Sequence, residues 1–162
     1  MLEWRLEAGE WRTLAEQRAA AYRLLCGLVG GRPSLEHDEK GAPFLPEYPN
    51  LYISISHCRV AVAVAVCDKV RVGIDVESRR RIDPSLVGRV CTADERRIIE
   101  SASDPTMAFL QLWTRKEAVL KMRGTGIQGF GSMVQASAAD DCQIVNLDIC
   151  IPDVVAALAT GV

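Results

Sequence analysis

The chain has 162 residues, enough for one ordinary domain or two small lobes sharing a core. Hydrophobic residues make up 49% and charged residues 25%, a globular composition that excludes a disordered or fibrous chain. Nineteen basic against 21 acidic side chains leave a net charge of −2, without the positive field of a nucleic-acid or membrane-surface binder.

That balance is uneven along the chain: residues 71–123 carry a net +3, whereas 124–162 hold four acidic and no basic side chains. The longest uncharged β-like run, Val60 to Cys67, is far shorter than the roughly 20 residues of a membrane-spanning helix. Glu3, Arg5 and Glu7 follow Met1 where a secretory leader would be apolar, so a cytoplasmic location is expected. Six cysteines (26, 58, 67, 91, 142 and 150) form no C-x-x-C pair, and there are only two histidines. A structural zinc is not expected, and reduced thiols fit the compartment.

In chain order, residues 2–7 alternate like a short strand. From Trp11 to Val29 apolar residues recur at helical spacing, ending at Gly30-Gly31. Residues 32–49 hold four of the seven prolines and read as a turn-rich connection. Three strands follow. Leu51 to His57 alternates, with Ser54 and Ser56 opposite Ile53 and Ile55. Val60 to Val66 sets valines on one face and alanines on the other, and the alanine face invites a closely packed helix. Val70 to Glu77 places Val72, Ile74 and Val76 toward the core.

Thr92 and Glu95 form a T-x-x-E capping box that opens a helix to Ser101. Asp104-Pro105 opens another that runs to Arg123 and stops at Gly124. Gly124 to Ser132 reads as a glycine-rich loop, and Gln143 to Ile151 as a strand. Val154 to Thr160 fits helix or strand. The order implies an α+β fold, with two similar halves meeting near residue 70.

Three places could carry chemistry. Asp75 and Glu77, two apart on a strand, project from one face with Gly73. Paired carboxylates suit a hard divalent cation, and Gly73 leaves room for something to approach; the plain alternative is a solvated acidic face. Trp113, Glu117 and Lys121 share one helix face, where Glu117–Lys121 is either an ordinary i,i+4 ion pair or part of a metal and phosphate site with Lys116. His57 ends the Ser54-Ile55-Ser56-His57 strand and could donate to an anion. Gly124-Thr125-Gly126-Ile127-Gln128-Gly129 fits G-x-G-x-x-G but follows a helix, which argues against a dinucleotide site.

Together, G-A-P-F (41–44), I-S-I-S-H (53–57), G-I-D-V-E (73–77), F-x-x-x-W-x-x-K-E-A-x-x-K (109–121) and G-T-G (124–126) resemble the motifs of the 4′-phosphopantetheinyl transferases of the Sfp type. The resemblance implies two similar α+β lobes, residues 1–69 and 70–162, about a pseudo-twofold axis, with 154–160 as a strand. It implies transfer of the phosphopantetheine arm of coenzyme A to a serine of an apo acyl or peptidyl carrier protein, with Mg²⁺ as cofactor and adenosine 3′,5′-bisphosphate as product. Asp75, Glu77 and Glu117 would hold the metal. Glu117 would also be the base toward the carrier serine, and Lys121 would serve the leaving phosphate. His57, Ser56 and Lys116 would bind phosphates, and His57 would take the 3′-phosphate. Trp113 would be structural, and Glu95 a cap, a site residue, or both. Two lobes in one chain imply a monomer.

Ala42 stands where the family usually has Lys or Arg, so Lys40 is expected to fill that role. This departure also motivates the alternative of a non-catalytic module binding coenzyme A or a carrier. Since carriers are acidic, Arg79-Arg80-Arg81 is expected to form part of a docking face.

Overall fold

The computed structural model describes residues 1–125, 130–136 and 140–162. Its elements are β1 (Leu2–Ala8), α1 (Leu14–Val29), β2 (Glu36–His37), β3 (Pro43–Phe44), β4 (Tyr52–His57), β5 (Ala61–Cys67), β6 (Val72–Ser78), α2 (Pro84–Val90), α3 (Ala93–Ser101), α4 (Pro105–Arg123), α5 (Phe130–Gln135), β7 (Cys142–Asn146) and β8 (Val154–Gly161). Helices and strands thus mix as expected, and 154–160 is a strand.

Two antiparallel sheets of three strands form the frame, in the orders β1-β5-β4 and β6-β8-β7; β2 and β3 make a two-residue ladder. In both larger sheets the last strand in sequence is central. Ala20, Ala21 and Leu25 of α1 pack on Val62, Val64 and Val66 of β5. Ala118, Val119 and Met122 of α4 pack on Ala157 and Ala159 of β8.

The alanine face of β5 does not receive a helix. Ala61, Ala63 and Ala65 meet Val72, Ile74 and Val76 of β6, together with Ala156 and Leu158 of β8. Small side chains let the two sheets approach, while the valine face takes α1. The helix itself brings alanines to that contact, so the close packing is supplied from the other side.

The helix starts follow the capping rules. Thr13 and Glu16 form a reciprocal capping box at α1, as Thr92 and Glu95 do at α3. Asp104 caps α4 with Pro105 in its first turn, and Gly124 ends it in the left-handed region at φ 65°. Asp83-Pro84 repeats the Asp-Pro signal and opens α2, a short helix outside the predicted elements. α5 begins within the expected glycine-rich loop, and Gly126 to Gly129 lie outside the described residues. The strand expected at 143–151 leaves the ladder after Asn146. Pro152 and Asp153, the latter at φ 58°, turn the chain into β8.

Gly73 positions α4. A Cβ on Gly73 would stand 1.9 Å from the Ala118 carbonyl oxygen and 2.5 Å from the Met122 backbone nitrogen. The room at Gly73 is therefore filled by the backbone of α4 rather than left for a ligand. The face of β6 carrying Gly73, Asp75 and Glu77 is thereby set against the helix carrying Glu117 and Lys121.

Candidate active site

Three elements converge at one cavity of about 370 Å³. β4 supplies Ser56 and His57, β6 supplies Asp75 and Glu77, and α4 supplies Trp113, Glu117 and Lys121. The i, i+4, i+8 spacing on α4 and the i, i+2 spacing on β6 bring these residues together once Gly73 admits the helix. Trp113 lines the cavity and packs against Phe109, with ring centroids 6.0 Å apart.

The serines of β4 join the two sheets. Ser54 Oγ accepts the Ile74 backbone N–H at 3.0 Å, and Ser56 Oγ accepts that of Val76 at 3.3 Å. Ser56 Oγ also donates to Asp75 Oδ1 at 2.7 Å. Both serines are buried because they satisfy the backbone of β6 on its edge facing β4. Ser56 is thus committed to Asp75 and Val76 rather than turned toward a phosphate. What it does is orient Asp75.

Asp75 is buried, not part of a solvated face. Its Oδ1 also accepts from Lys121 Nζ at 2.7 Å, and that ammonium donates in addition to the Ile74 carbonyl at 3.2 Å. Asp75 Oδ2 and Glu117 Oε1 are buried with no hydrogen-bond partner. Burial pushes the Glu117 carboxyl up to about 7; Asp75 and then Glu77 add to the rise, and Lys121 opposes it. Glu77 is nearer the surface, with Arg80 3.4 Å away. Burial, then Lys121 and Arg18, lower the His57 pKa, so its imidazole is neutral at pH 7 with one N–H to donate. Among the described residues, no group of three or more His, Cys, Asp or Glu side chains is gathered closely enough to hold a metal ion.

A second cavity of about 530 Å³ shares Lys121 with the first. It is lined by Lys40, Arg71 and Arg123, by Asp38 and Glu39, and by an apolar wall that includes Pro43, Phe44 and Tyr52. Lys40 is therefore placed beside the cleft, on the β2–β3 turn. There Asp38 Oδ1 accepts the backbone N–H groups of Lys40 and Ala42 at 2.9 and 2.8 Å. Arg71 and Arg123 were not singled out from the sequence. Arg71 lies two residues before Gly73, in line with Asp75 and Glu77, and the alternation could have included it.

Lys116 does not reach either cavity. One residue before Glu117, it is rotated about 100° around the helix. It is buried, donating to Glu95 Oε2 at 2.7 Å and to the Val90 carbonyl. This corrects the expectation of a phosphate contact. Glu95 also accepts the Thr92 N–H at 2.7 Å, so it is at once a cap and the counter-ion of Lys116. In the triple-arginine run, Arg79 joins Asp104, the cap of α4, to Asp153 in the β7–β8 turn, while Arg80 lies against Glu77. Arg79 thus ties three parts of the fold together, which accounts for it without a partner protein.

Residues 71–150 match the model of the 4′-phosphopantetheinyl transferase superfamily. The chain is 30% identical to the 4′-phosphopantetheinyl transferase AcpT of Escherichia coli over 145 residues, 84% of this chain and 74% of that one. With AcpT of Salmonella typhimurium it shares 28% identity over 139 residues, 80% of this chain and 72% of the relative. With the transferase Sfp of Bacillus subtilis it shares 30% over 91 residues, covering 55% of this chain and 40% of that one. The chain belongs to the 4′-phosphopantetheinyl transferase superfamily. It is an enzyme, a phosphopantetheinyl transferase.

Proposed function

We propose that this enzyme moves the 4′-phosphopantetheine arm of coenzyme A to a serine of an apo acyl or peptidyl carrier protein, with Mg²⁺ bound at Asp75, Glu77 and Glu117. The observation that carries this reading is the pair of buried, unpartnered carboxylate oxygens, Asp75 Oδ2 and Glu117 Oε1, in a cavity shared with Lys121 and His57. Buried polar atoms without partners are rare, and oxygen donors of this kind suit a hard divalent cation. Two carboxylate oxygens, Asp75 Oδ2 and Glu117 Oε1, are free to take such an ion, and Glu77, now against Arg80, would have to close on it to supply a third donor. Bound there, it would supply positive charge to the phosphate oxygens as the leaving group departs.

Glu117 is the base. As a carboxylate within the cavity it accepts the proton of the carrier serine Oγ. The serine oxygen attacks the β-phosphorus of coenzyme A, the bond to the bridging oxygen breaks, and adenosine 3′,5′-bisphosphate leaves. Lys121 Nζ donates to the leaving phosphate. His57, neutral and lining the cavity, donates to a phosphate of coenzyme A, in our reading the 3′-phosphate. Ser56 holds Asp75 in place. The nucleotide end lies toward the second cavity, where Lys40 stands in for the missing cation at Ala42.

Residues 1–69 and 70–162 are read as two similar lobes about a pseudo-twofold axis. The common strand order of the two sheets supports this. A complete cleft within one chain supports a monomer, and the reading places the enzyme in the cytoplasm. The intact carboxylates and Lys121 weigh against a purely binding module. Incubation with coenzyme A, Mg²⁺ and an apo carrier, followed by intact mass, tests transfer directly. No added arm on any of several acyl and peptidyl carriers would sink it.

A further inference from the structure

Lys121 faces two sites at once. Its side chain is 30% exposed and lines the cavity of Asp75 and Glu117, the cavity of Lys40, Arg71 and Arg123, and a smaller one of about 170 Å³. Its ammonium rests on Asp75 Oδ1, on the same carboxylate whose Oδ2 is buried and unpartnered.

With neither ligand present, Lys121 neutralises Asp75. A divalent cation arriving at Asp75 Oδ2 and Glu117 Oε1 meets an ammonium already on the same carboxylate and must compete with it. Should the flexible stem of Lys121 swing away, its charge enters a cavity lined by Lys40, Arg71 and Arg123 against Asp38 and Glu39, a net positive wall that opposes it until an anion is there. An anion arriving alone draws Lys121 off and leaves Asp75 buried without its counter-ion. Only when both ligands are present does every charge have a partner.

We propose that Lys121 is a shared counter-ion that couples cation and nucleotide binding, resting on Asp75 when both are absent and passing to the anion when both are bound. This rests on the reading of Asp75 and Glu117 as cation ligands. Each ligand then raises the affinity for the other by the same factor, as linkage requires.

The test is titration of the purified protein with Mn²⁺, with and without adenosine 3′,5′-bisphosphate, followed by water-proton relaxation. In the wild type the nucleotide tightens Mn²⁺ binding by about tenfold, within the usual range of coupling. In K121M, Mn²⁺ alone binds about tenfold more tightly than in the wild type, and the nucleotide then changes it by less than about twofold. K40M removes a cation of the second cavity that does not touch Asp75, and it keeps the wild-type affinity for Mn²⁺ alone. If K121M proves unfolded by circular dichroism, K121Q carries the same expectation.

Mn²⁺ binding equal in K121M and wild type overturns the proposal. Equal tightening in K40M does so as well, since net charge then explains it. Full coupling in K121M assigns the effect to direct metal–nucleotide contact and also overturns it. No Mn²⁺ binding in any protein, with or without nucleotide, instead removes the cation reading of Asp75 and Glu117, and this inference with it.

Discussion

Gly73 and Ala118 are in direct backbone contact: a methyl group on Gly73 would stand 1.9 Å from the Ala118 carbonyl oxygen. That contact seats α4 on β6 and so sets the distance between the carboxylates of the strand and Glu117 of the helix. The neighbouring atoms are backbone and cannot swing aside. G73A is therefore expected to lose about 3 kcal/mol or more of stability, at or beyond the upper end of overpacking costs. Urea denaturation measures this; a loss below about 0.5 kcal/mol, inside the range of ordinary surface changes, means that the helix is not seated as described.

The Glu95–Lys116 pair should behave as a buried ion pair and not as a substrate contact. K116M removes the buried ammonium that Glu95 Oε2 accepts from and should cost about 3 kcal/mol or more. The double variant K116M/E95M removes both charges and should recover part of that loss. Denaturation of both variants gives the coupling. A folded, fully stable K116M with a raised KM for coenzyme A would instead assign Lys116 to a phosphate.

Ser56 is expected to matter through Asp75 and β6. S56A removes the donor to Asp75 Oδ1 and the acceptor for the Val76 N–H, both buried, at a cost of about 1–3 kcal/mol. The KM for coenzyme A should change less than twofold, roughly the effect of a few tenths of a kcal/mol. A rise in KM without loss of stability would instead place Ser56 on a phosphate.

Much of this was legible in the sequence because it depends on short periods. The two-residue repeat of β6 and the four-residue repeat of α4 put Asp75, Glu77, Glu117 and Lys121 on defined faces, and the Thr92–Glu95 and Asp104–Pro105 signals fixed two helix starts. What was not legible depends on what packs against each face. The alanine face of β5 meets a sheet and not a helix, and the serines of β4 face the backbone of β6. Lys116 is turned by one residue toward α3. Spacing along one element says which side chains share a face, but not which partner covers it.

The raised Glu117 pKa predicts a stability slope in metal-free buffer. The folded state holds this proton up to about pH 7, whereas the unfolded chain releases it near the ordinary glutamate value of 4.5. Between those values the folded state binds more protons, so the contribution of Glu117 to stability falls as pH rises and levels off above pH 7. E117Q removes the titrating group and should flatten that part of the profile, as read from urea midpoints at successive pH values. An unchanged slope would show that burial does not perturb Glu117.

The central claim is that Glu117 lies at the reacting centre of a phosphopantetheinyl transfer. Its most direct measurement is the intact mass of an apo carrier protein after incubation with coenzyme A, Mg²⁺ and either the wild-type enzyme or E117A. The account predicts that the wild type converts the carrier to the form bearing phosphopantetheine, and that E117A, folded by circular dichroism, leaves it in the apo form. Full conversion by E117A would contradict it.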